Sequence, residues 1–389
     1  MKLPAGQNSF LHLFNQTKYQ KIFLLTIWVS LQCFFLWKNG IVTSLEAVKY
    51  IDQAKLFLTA GKYSSGNFLF YSVQIQLIAL CMKFNISYLW LVIFQIVMNG
   101  ISMACFYILV RQLSKNSVLP FIATVYLLGF IYYQEFNTFL FTESLFFSFS
   151  VIYTYFLFSR EKITIRNFLL ILFFLSLLYL TRPTGIFFIP ATFLFITIKF
   201  HSKFAFKIIA ASIGLAFIFF YFLFNFSLSS GGEFDFLLPY LKEEIICGVQ
   251  TISKAHNINI PVEKNSLAGL AYIIINHFHL FFSLAIQRLI AFFGVYRSYY
   301  STFHNIIASS YFYLLYLIII GGLKYLVKIN KAEVWFLICN IGLVAIAVML
   351  SCDEWGNRFI LSVLPFILLL SVISISNYMS LRKESSNKI

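Results

Sequence analysis

Residues 22–38, IFLLTIWVSLQCFFLWK, form an apolar run that is followed by a charged stretch, residues 41–63, IVTSLEAVKYIDQAKLFLTAGKY. The first run has nearly the length of a helix that crosses a bilayer. The second run contains four charged side chains between Glu46 and Lys55. An apolar span followed directly by charged residues predicts a membrane protein whose chain enters a substantial loop after its first span.

The composition of the whole chain extends this interpretation. Of its 389 residues, 60% are hydrophobic and only 11% are charged, so several segments need the shelter of hydrocarbon. Further apolar runs lie near residues 88–110, 117–134, 144–159, 167–181, 185–199, 207–227, 306–323, 333–351 and 359–378. We therefore predict an all-α polytopic membrane protein, a single integral membrane domain over residues 1–389 with about ten transmembrane helices and a range of roughly nine to twelve. The runs 67–84 and 268–296 are ambiguous.

The charged residues predict how the chain is oriented. A net charge of +15 is found in nucleic-acid binders, but here the Lys and Arg residues lie in short clusters between apolar runs, which is typical of orientation signals. With a cytoplasmic N-terminus, the inner segments contain 17 of the 29 basic residues and 3 of the 14 acids, and the outer segments contain 12 and 11. We therefore expect a bacterial inner (plasma) membrane protein with both termini in the cytoplasm and no nucleic-acid partner.

The same charge bias defines two large outer loops. A span at residues 67–84 would invert all following loops, so residues 41–87 are predicted to form a first outer loop whose helices lie on or dip into the membrane surface. Residues 228–305 form a second and larger outer loop, and its start, GGEFDFLLPYLKEE, is predicted to be flexible.

Three predicted outer loops each contribute acidic residues to the same membrane face. Glu46 lies in the first loop, Glu143 ends a short outer tip, and Asp353 and Glu354 lie in the last. Carboxylates at the edge of hydrocarbon usually face a water-filled cavity or a partner, which makes them site candidates. The alternative is that they are solvated loop acids, or, for Glu143, an acid that caps a helix.

Helical geometry distinguishes the charges of the first loop. At about 100° per residue, Glu46, Lys49 and Tyr50 share one face of a helix, whereas Asp52 points elsewhere. Lys49 is therefore predicted to pair with Glu46 and to keep its carboxylate ionised. An ionised carboxylate at the mouth of a membrane cavity is suited to act as a general base.

Several outer arginines are candidates for binding an anion. Arg182 in LTRPTG and Arg358 in CDEWGNRF lie at two tight turns, and Arg288 and Arg297 lie in an aromatic-rich segment that is predicted to be interfacial. A guanidinium can bind phosphate in bidentate fashion. The alternative is an anchor that contacts ordinary lipid headgroups.

Other residue types give no sign of a metal or redox centre. The six cysteines are scattered without a CxxC pair, and we predict neither a disulfide framework nor a metal site from them. His277 and His279 fall on different helix faces, which favours packed or interfacial histidines. No cofactor is required by the sequence, although outer carboxylates could bind a divalent cation. No P-loop, GxGxxG, GxSxG or HExxH motif is present.

The order of these parts over residues 20–378 resembles the GT-C superfamily of membrane glycosyltransferases, in particular its dolichyl-phosphate-mannose and aminoarabinose transferase group. EAVKYIDQAKLFLTAGKY is similar to the family's first outer loop, with Glu46, Tyr50 and Gly61 on matching positions, although the family's acid is usually Asp. Five further segments are similar to later family features: the outer-loop helix in NFLFYSVQIQLIALCMKF, the basic turn in YILVRQLSKN, the outer acid in FTESLFF, the Arg-Pro-x-Gly hairpin in LLYLTRPTGIFFIP and the late acid-x-Arg span in DEWGNRFILSVLPFILLL.

The resemblance implies transfer of a sugar from a polyprenyl-phosphate carrier to a glycan, lipid or protein acceptor at the outer membrane face. Glu46 would be the catalytic base, Arg182 or Arg358 would balance the phosphate charge, and the 228–305 loop would cover the donor. The full set of implied substrate-binding residues is Lys49, Tyr50, Glu143, Arg182, Arg297, Glu354 and Arg358.

Two alternatives remain open from the sequence. A lipid-linked oligosaccharide polymerase would also present outer arginines and one large outer loop. A polyprenyl-linked glycan flippase or transporter would show internal repeats or polar, interrupted helices at mid-membrane, and the sequence indicates neither.

Overall fold

The computed structural model describes residues 17–200, 237–249, 267–329 and 332–386. Within these ranges the elements are helices, and β-bridges occur only as isolated pairs, so the predicted all-α class is confirmed there. The α-helices are α1 (Thr17–Asn39), α2 (Glu46–Ala60), α3 (Ser72–Lys83), α4 (Leu89–Ser114), α5 (Leu119–Gly129), α6 (Ile131–Glu135), α7 (Glu143–Phe158), α8 (Ile165–Thr181), α9 (Phe188–Lys199), α10 (Leu238–Leu241), α11 (Leu267–Asn276), α12 (Phe278–Gly294), α13 (Thr302–Ile329), α14 (Ala332–Leu350) and α15 (Arg358–Ser386). Short 3-10 helices occur at Gly66–Tyr71, Phe136–Thr138 and Pro183–Phe187.

Five described helices, α1, α4, α13, α14 and α15, are long and apolar enough to cross a membrane. Helices α11 and α12 pass the same test as a pair, but they are bent by 105° at His277. Three shorter helices, α5, α7 and α8, and the segment Pro183–Lys199 are also apolar. These five or six helices support a membrane protein. The predicted number of about ten spans is not reached by helices of this length within the described residues. The run 67–84 is not among them, and the run 207–227 lies outside the described residues.

Helix α15 forms the centre of the bundle. In its most apolar window 83% of the residues are buried, against 22% for α1 and for α13. Helix α13 packs closely along α15, because a Cβ atom placed on Gly322 would lie 2.3 Å from the Cβ of Ser374. Small residues at such contacts let helix backbones approach in a membrane, where hydrophobicity alone does not drive helices together.

Buried amide side chains connect α1, α4 and the chain just before α7. Asn137 donates from Nδ2 to Gln32 Oε1 (3.0 Å), and its Oδ1 accepts from Ser144 Oγ (2.7 Å). Gln95 in α4 donates from Nε2 to the Phe139 carbonyl (2.8 Å). Because buried polar groups need partners, these bonds fix one conformation of the segment that leads into α7.

The structure shows buried amides on α1 and α4 and a 105° break between α11 and α12, neither of which the sequence indicates. The lack of such features at mid-membrane stays a prediction. Gln32 and Gln95 each stand alone in an apolar run of the sequence, so only helix packing brings them to Asn137. The bend between α11 and α12 likewise interrupts a continuous apolar run, LAGLAYIIINHFHLFFSLAIQRLIAFFG, that has no proline at the break.

One end of the bundle carries an ion pair between segments that the charge bias assigns to the same side of the membrane. Lys199 Nζ donates to Glu333 Oε1 (3.1 Å) and to the Phe158 carbonyl (3.0 Å). Helix α7 therefore runs from this end, at Phe158, to the other end of the bundle, at Glu143. The candidate site lies at that other end.

The close contact between α13 and α15 predicts a steric effect at one of two adjacent glycines. Gly322→Ala should lower stability by roughly 1–3 kcal/mol, because the added methyl group would overlap Ser374. Gly321→Ala is the matched control, since no atom lies within 4 Å of the added Cβ and alanine is the better helix former. Thermal unfolding of the purified protein in detergent measures both. Equal melting temperatures for the two variants would contradict the packing.

Candidate functional site

Arg358, the first residue of α15, binds three carboxylates from three separate parts of the chain. Its Nη2 lies 2.5 Å from Glu46 Oε1 and 2.5 Å from Glu354 Oε2, and its Nη1 lies 3.0 Å from Glu143 Oε1. The Arg358 side chain is only 2% exposed. The predicted convergence of acids from separate loops is confirmed for Glu46, Glu143 and Glu354, and the side of the membrane on which they lie stays a prediction.

Glu143 and Arg182 form the most deeply buried part of this cluster. Arg182 Nη1 donates to Glu143 Oε1 at 2.6 Å, so one carboxylate oxygen accepts from two arginines. The Glu143 side chain is fully buried and that of Arg182 is 8% exposed. The alternative that Arg182 and Arg358 are headgroup anchors does not fit, because both guanidinium groups are turned into the protein.

The Arg-Pro-x-Gly turn positions Arg182. Helix α8 ends at Thr181, Arg182 adopts an extended conformation, and Pro183 begins the following 3-10 helix. A Cβ on Gly185 would lie 2.4 Å from the carbonyl carbon of Leu178, so this tight reversal has no space for a side chain. The predicted sharp turn is confirmed.

A backbone bridge places Glu46 next to the start of α7. The Val42 amide donates to the Thr138 carbonyl (3.0 Å), and the Leu140 amide donates to the Val42 carbonyl (3.1 Å). Four residues later α2 begins at Glu46, where the positive end of the helix dipole favours a carboxylate. The helix ends before Gly61, which adopts the left-handed conformation expected of a C-terminal glycine.

The predicted face of α2 is also confirmed. Lys49 Nζ lies 3.5 Å from Glu46 Oε2, and the Tyr50 hydroxyl donates to the same oxygen at 3.4 Å. Asp52 points away and pairs instead with Lys55 at 3.2 Å in an exposed position.

The electrostatics of the cluster keep Glu46 ionised. Burial by itself would raise the pKa of Glu46, but the hydrogen bond and charge of Arg358, with the charges of Lys49 and Arg182, lower that pKa to about 2. A carboxylate of such low pKa is a weak base as long as Arg358 is paired with it.

The cluster is buried on one side, at Glu143 and Arg182, and partly exposed on the other side, which we call the rim and which consists of Glu46, Lys49, Glu354 and Trp355. The side chains of Glu46, Lys49 and Glu354 are 23%, 21% and 22% exposed, in contrast to the buried Glu143. Trp355 is 39% exposed, and its ring lies 5.5 Å from the Arg358 guanidinium carbon. A ligand can therefore approach from the rim, where carboxylates, an ammonium group and an aromatic ring lie together.

Two strong links hold the loop that precedes Arg358. Cys247 and Cys352 form a disulfide, with 5.3 Å between their Cα atoms, and Arg297 pairs with Asp353. The expectation that the chain lacks a disulfide is wrong: the two cysteines are 105 residues apart, so their spacing gave no signal. The other described cysteines lie in helices and are free, as expected.

The side chains of Arg288 and Arg297 are fully buried, so neither contacts lipid headgroups. The interfacial position of their segment stays a prediction. Arg288 donates to the carbonyls of Glu244 and Pro239 at 3.0 and 3.2 Å. Arg297 contacts the loop before Arg358 and not the open rim, and its role in substrate binding stays a prediction.

Neither histidine of INHFHLFF joins the cluster. His277 and His279 line a cleft of about 560 Å³ at the bend between α11 and α12, together with Glu243. Within the described residues no group of three or more His, Cys, Asp or Glu side chains is arranged to hold a metal ion. The carboxylates of the candidate site pair with arginines instead.

Comparison with known proteins gave no relative: no family model, curated protein or solved structure matches the chain.

The low pKa of Glu46 predicts a pH-dependent loss of stability. Because the pKa falls from 4.5 to about 2, Glu46 stabilises the fold above pH 4.5, and this contribution is lost as the pH drops towards 2. Between pH 6 and 3 the wild type should lose on the order of 2 kcal/mol more than Glu46→Gln. Asp52→Asn, which removes an exposed pair on the same helix, should behave like the wild type. Melting curves in detergent that are parallel for all three proteins would disprove the pairing.

Proposed function

We propose that the protein is a glycosyltransferase of the GT-C type, which moves a sugar from a polyprenyl-phosphate carrier to an acceptor hydroxyl at the outer face of the membrane. The observation that carries the proposal is the shared pairing of Arg358 with Glu46, Glu143 and Glu354 at a partly open rim. It joins a carboxylate that can take a proton to a guanidinium that can hold a phosphate.

In this mechanism the donor phosphate activates the base. A phosphate oxygen competes with Glu46 and Glu354 for Nη2 of Arg358, and the buried Nε of Arg358 has no hydrogen-bond partner among the described residues. Once Arg358 binds the phosphate, Glu46 loses the interaction that lowers its pKa most strongly and becomes a better proton acceptor.

The transfer step then uses groups that lie together. Glu46 takes the proton of the acceptor hydroxyl as its oxygen forms a bond to the anomeric carbon of the sugar. The bond from that carbon to the phosphate oxygen breaks, and the electron pair leaves with the carrier phosphate. Arg358, supported by Arg182, stabilises the developing negative charge. Lys49 adds a further positive charge at the rim.

The remaining predicted residues take supporting roles. Tyr50 and Lys49 orient the Glu46 carboxylate. Glu143 holds the two arginines at their separation, and any contact between its buried carboxylate and a sugar would require an arginine to move. Glu354 offers an acceptor for sugar hydroxyls at the rim, while Arg297 acts through the loop before Arg358.

The outer-face location is supported by the disulfide. Cys247 and Cys352 lie next to the cluster, and disulfides persist in oxidising compartments such as the space outside the plasma membrane. This argument is independent of the charge bias. Both arguments support a proposed orientation with the cluster outside and the termini in the cytoplasm.

We also propose that the shorter apolar helices span the membrane. Helices α7 and α8 and the segment Pro183–Lys199 contain 16 or 17 residues, which at 1.5 Å per residue gives about 25 Å. All three run between the Lys199–Glu333 end and the candidate site. Together with the five long helices, α5 and the run 207–227, they make ten spans, the even number that two cytoplasmic termini require. The bent pair α11–α12 is then a re-entrant segment and not an eleventh span.

A second candidate function is a polyprenyl-linked glycan transporter or flippase. The observation that favours it is the 105° break between α11 and α12, because broken helices line substrate sites in many transporters. The two candidates differ in what deletion removes: one sugar of a glycan, or its delivery to the surface.

Mass spectrometry of surface and lipid-linked glycans from the native cell distinguishes these functions. We expect deletion to remove one sugar residue, wild type to restore it, and Glu46→Gln and Arg358→Gln to fail although they reach the membrane. Asp52→Asn, on the same helix but outside the cluster, should restore the sugar fully. Glycans that keep every sugar but lose repeat number would favour a polymerase, and complete glycans retained inside would favour a flippase.

A further inference from the structure

The loop of residues 352–357, which leads from α14 to Arg358, is tied to the protein at both of its ends and along its backbone. Its first residue, Cys352, forms the disulfide with Cys247. Next to this disulfide, the Cys247 amide donates to the Asp353 carbonyl (2.8 Å) and the Asp353 amide donates to the Ile245 carbonyl (2.9 Å). These bonds attach one side of the 352–357 loop to the 245–247 segment.

The other side of the loop rests on the segment between α12 and α13. Arg297 Nη2 donates to Asp353 Oδ2 and to the Glu354 carbonyl (3.1 Å). Both members of the Arg297–Asp353 pair are fully buried. Removal of one member would leave an uncompensated buried charge, so the pair constrains the loop strongly.

The same segment provides further hydrogen bonds to the loop. The hydroxyls of Tyr299 and Tyr300 both donate to the Trp355 carbonyl, the second at 3.3 Å. Asn357 Nδ2 donates to the Val295 carbonyl (3.3 Å). Residues 295–300 therefore hold the 352–357 loop at four residues, Asp353, Glu354, Trp355 and Asn357, and the next residue in the chain is Arg358.

We propose that Arg297 is a positioning residue of the candidate site: by holding Asp353 and the Glu354 backbone, it fixes the 352–357 loop and so sets where the Arg358 guanidinium meets Glu46. The Cys247–Cys352 disulfide does the same from the other side of the loop. The inference rests on the proposed function for what the site catalyses, but its geometry does not.

Arg358 is sensitive to such positioning because its Nη2 is shared. It lies 2.5 Å from both Glu46 and Glu354, and a shift of about 1 Å would break one of these short ionic hydrogen bonds. The charged or titratable groups facing Glu46 are Arg358 from α15, Glu354 on the same guanidinium nitrogen, Lys49 and Tyr50 from α2, and, at longer range, Arg182 and Glu143. Of these, Glu354 belongs to the tethered loop and Arg358 follows directly after it.

The protonation of Glu46 gives a readout that does not depend on catalysis. A hydrophobic carbodiimide reacts with protonated carboxyl groups, and trypsin releases Glu46 in the peptide of residues 39–49, where it is the only side-chain carboxyl. Mass spectrometry then gives the rate of labelling as a function of pH. Arg358→Gln defines the rate when the arginine is absent.

We expect Arg297→Lys and Asp353→Asn to raise the rate of Glu46 labelling at pH 6 by roughly tenfold, because a displaced Arg358 no longer keeps the carboxylate ionised. The matched control is Glu333→Gln, which also removes an acid from an ion pair, but at the Lys199 end of the bundle. This control should label like the wild type. Wild-type rates in Arg297→Lys and Asp353→Asn proteins that remain monodisperse would overturn the proposal.

Reduction of the wild-type protein tests the same loop without any substitution in the buried pair. A phosphine reductant should raise the rate of Glu46 labelling, and Cys247→Ala/Cys352→Ala should label rapidly with or without reductant. Labelling of both proteins at the rate of the untreated wild type would contradict the proposal, even if the Arg297 variants did not fold.

The labelling and glycan experiments separate the two proposals. Faster labelling in these variants together with unchanged glycans after gene deletion would leave the positioning role intact and remove the glycosyltransferase function. Wild-type labelling rates in these variants, together with the loss of one sugar after gene deletion, would rule out the positioning role and leave the proposed glycosyltransferase function intact.

Discussion

The pairing of Arg358 with three carboxylates is the interaction on which the site end of the molecule depends. A guanidinium that is 2% exposed, at the start of a helix whose most apolar window is 83% buried, is costly unless its charge is compensated. The compensation comes from α2, α7 and the chain between α14 and α15. These segments must therefore meet at one point, and the paths of the chain before α2 and between α14 and α15 follow from that requirement.

The strength of this pairing also shapes the proposed chemistry. A carboxylate whose pKa is about 2 accepts a proton poorly, so Glu46 is a weak base in the absence of a ligand. An anion that binds Arg358 would release it. Such an arrangement would couple donor binding to base activation and would limit wasteful transfer to water, since the base is weak until the phosphate arrives.

Apolar packing buries the helices of this fold, whereas polar contacts determine which segments meet. The many Phe, Leu and Ile side chains do little to select which helices pack together, because lipid tails are as apolar as these side chains are. The specific arrangement of the segments depends on a small number of contacts: the amides around Asn137, the Val42 bridge, the Arg297–Asp353 pair and the disulfide. All of these groups lie at or beside the site end, because Asn137 bonds to Ser144, the neighbour of Glu143.

The sequence by itself determined the membrane class, the face of α2 that joins Glu46 to Lys49, the reversal at Arg182 and the gathering of acids at one end. These features depend on local periodicity, turn residues and loop charges, which are encoded within a few residues of each other. The tertiary structure alone decided the Cys247–Cys352 disulfide, the buried position of Arg297 and the sharing of Arg358. Apart from the Arg358–Glu354 pair at i,i+4, these contacts join residues between 56 and 312 positions apart, and no local pattern specifies which of many distant groups will meet once the helices pack.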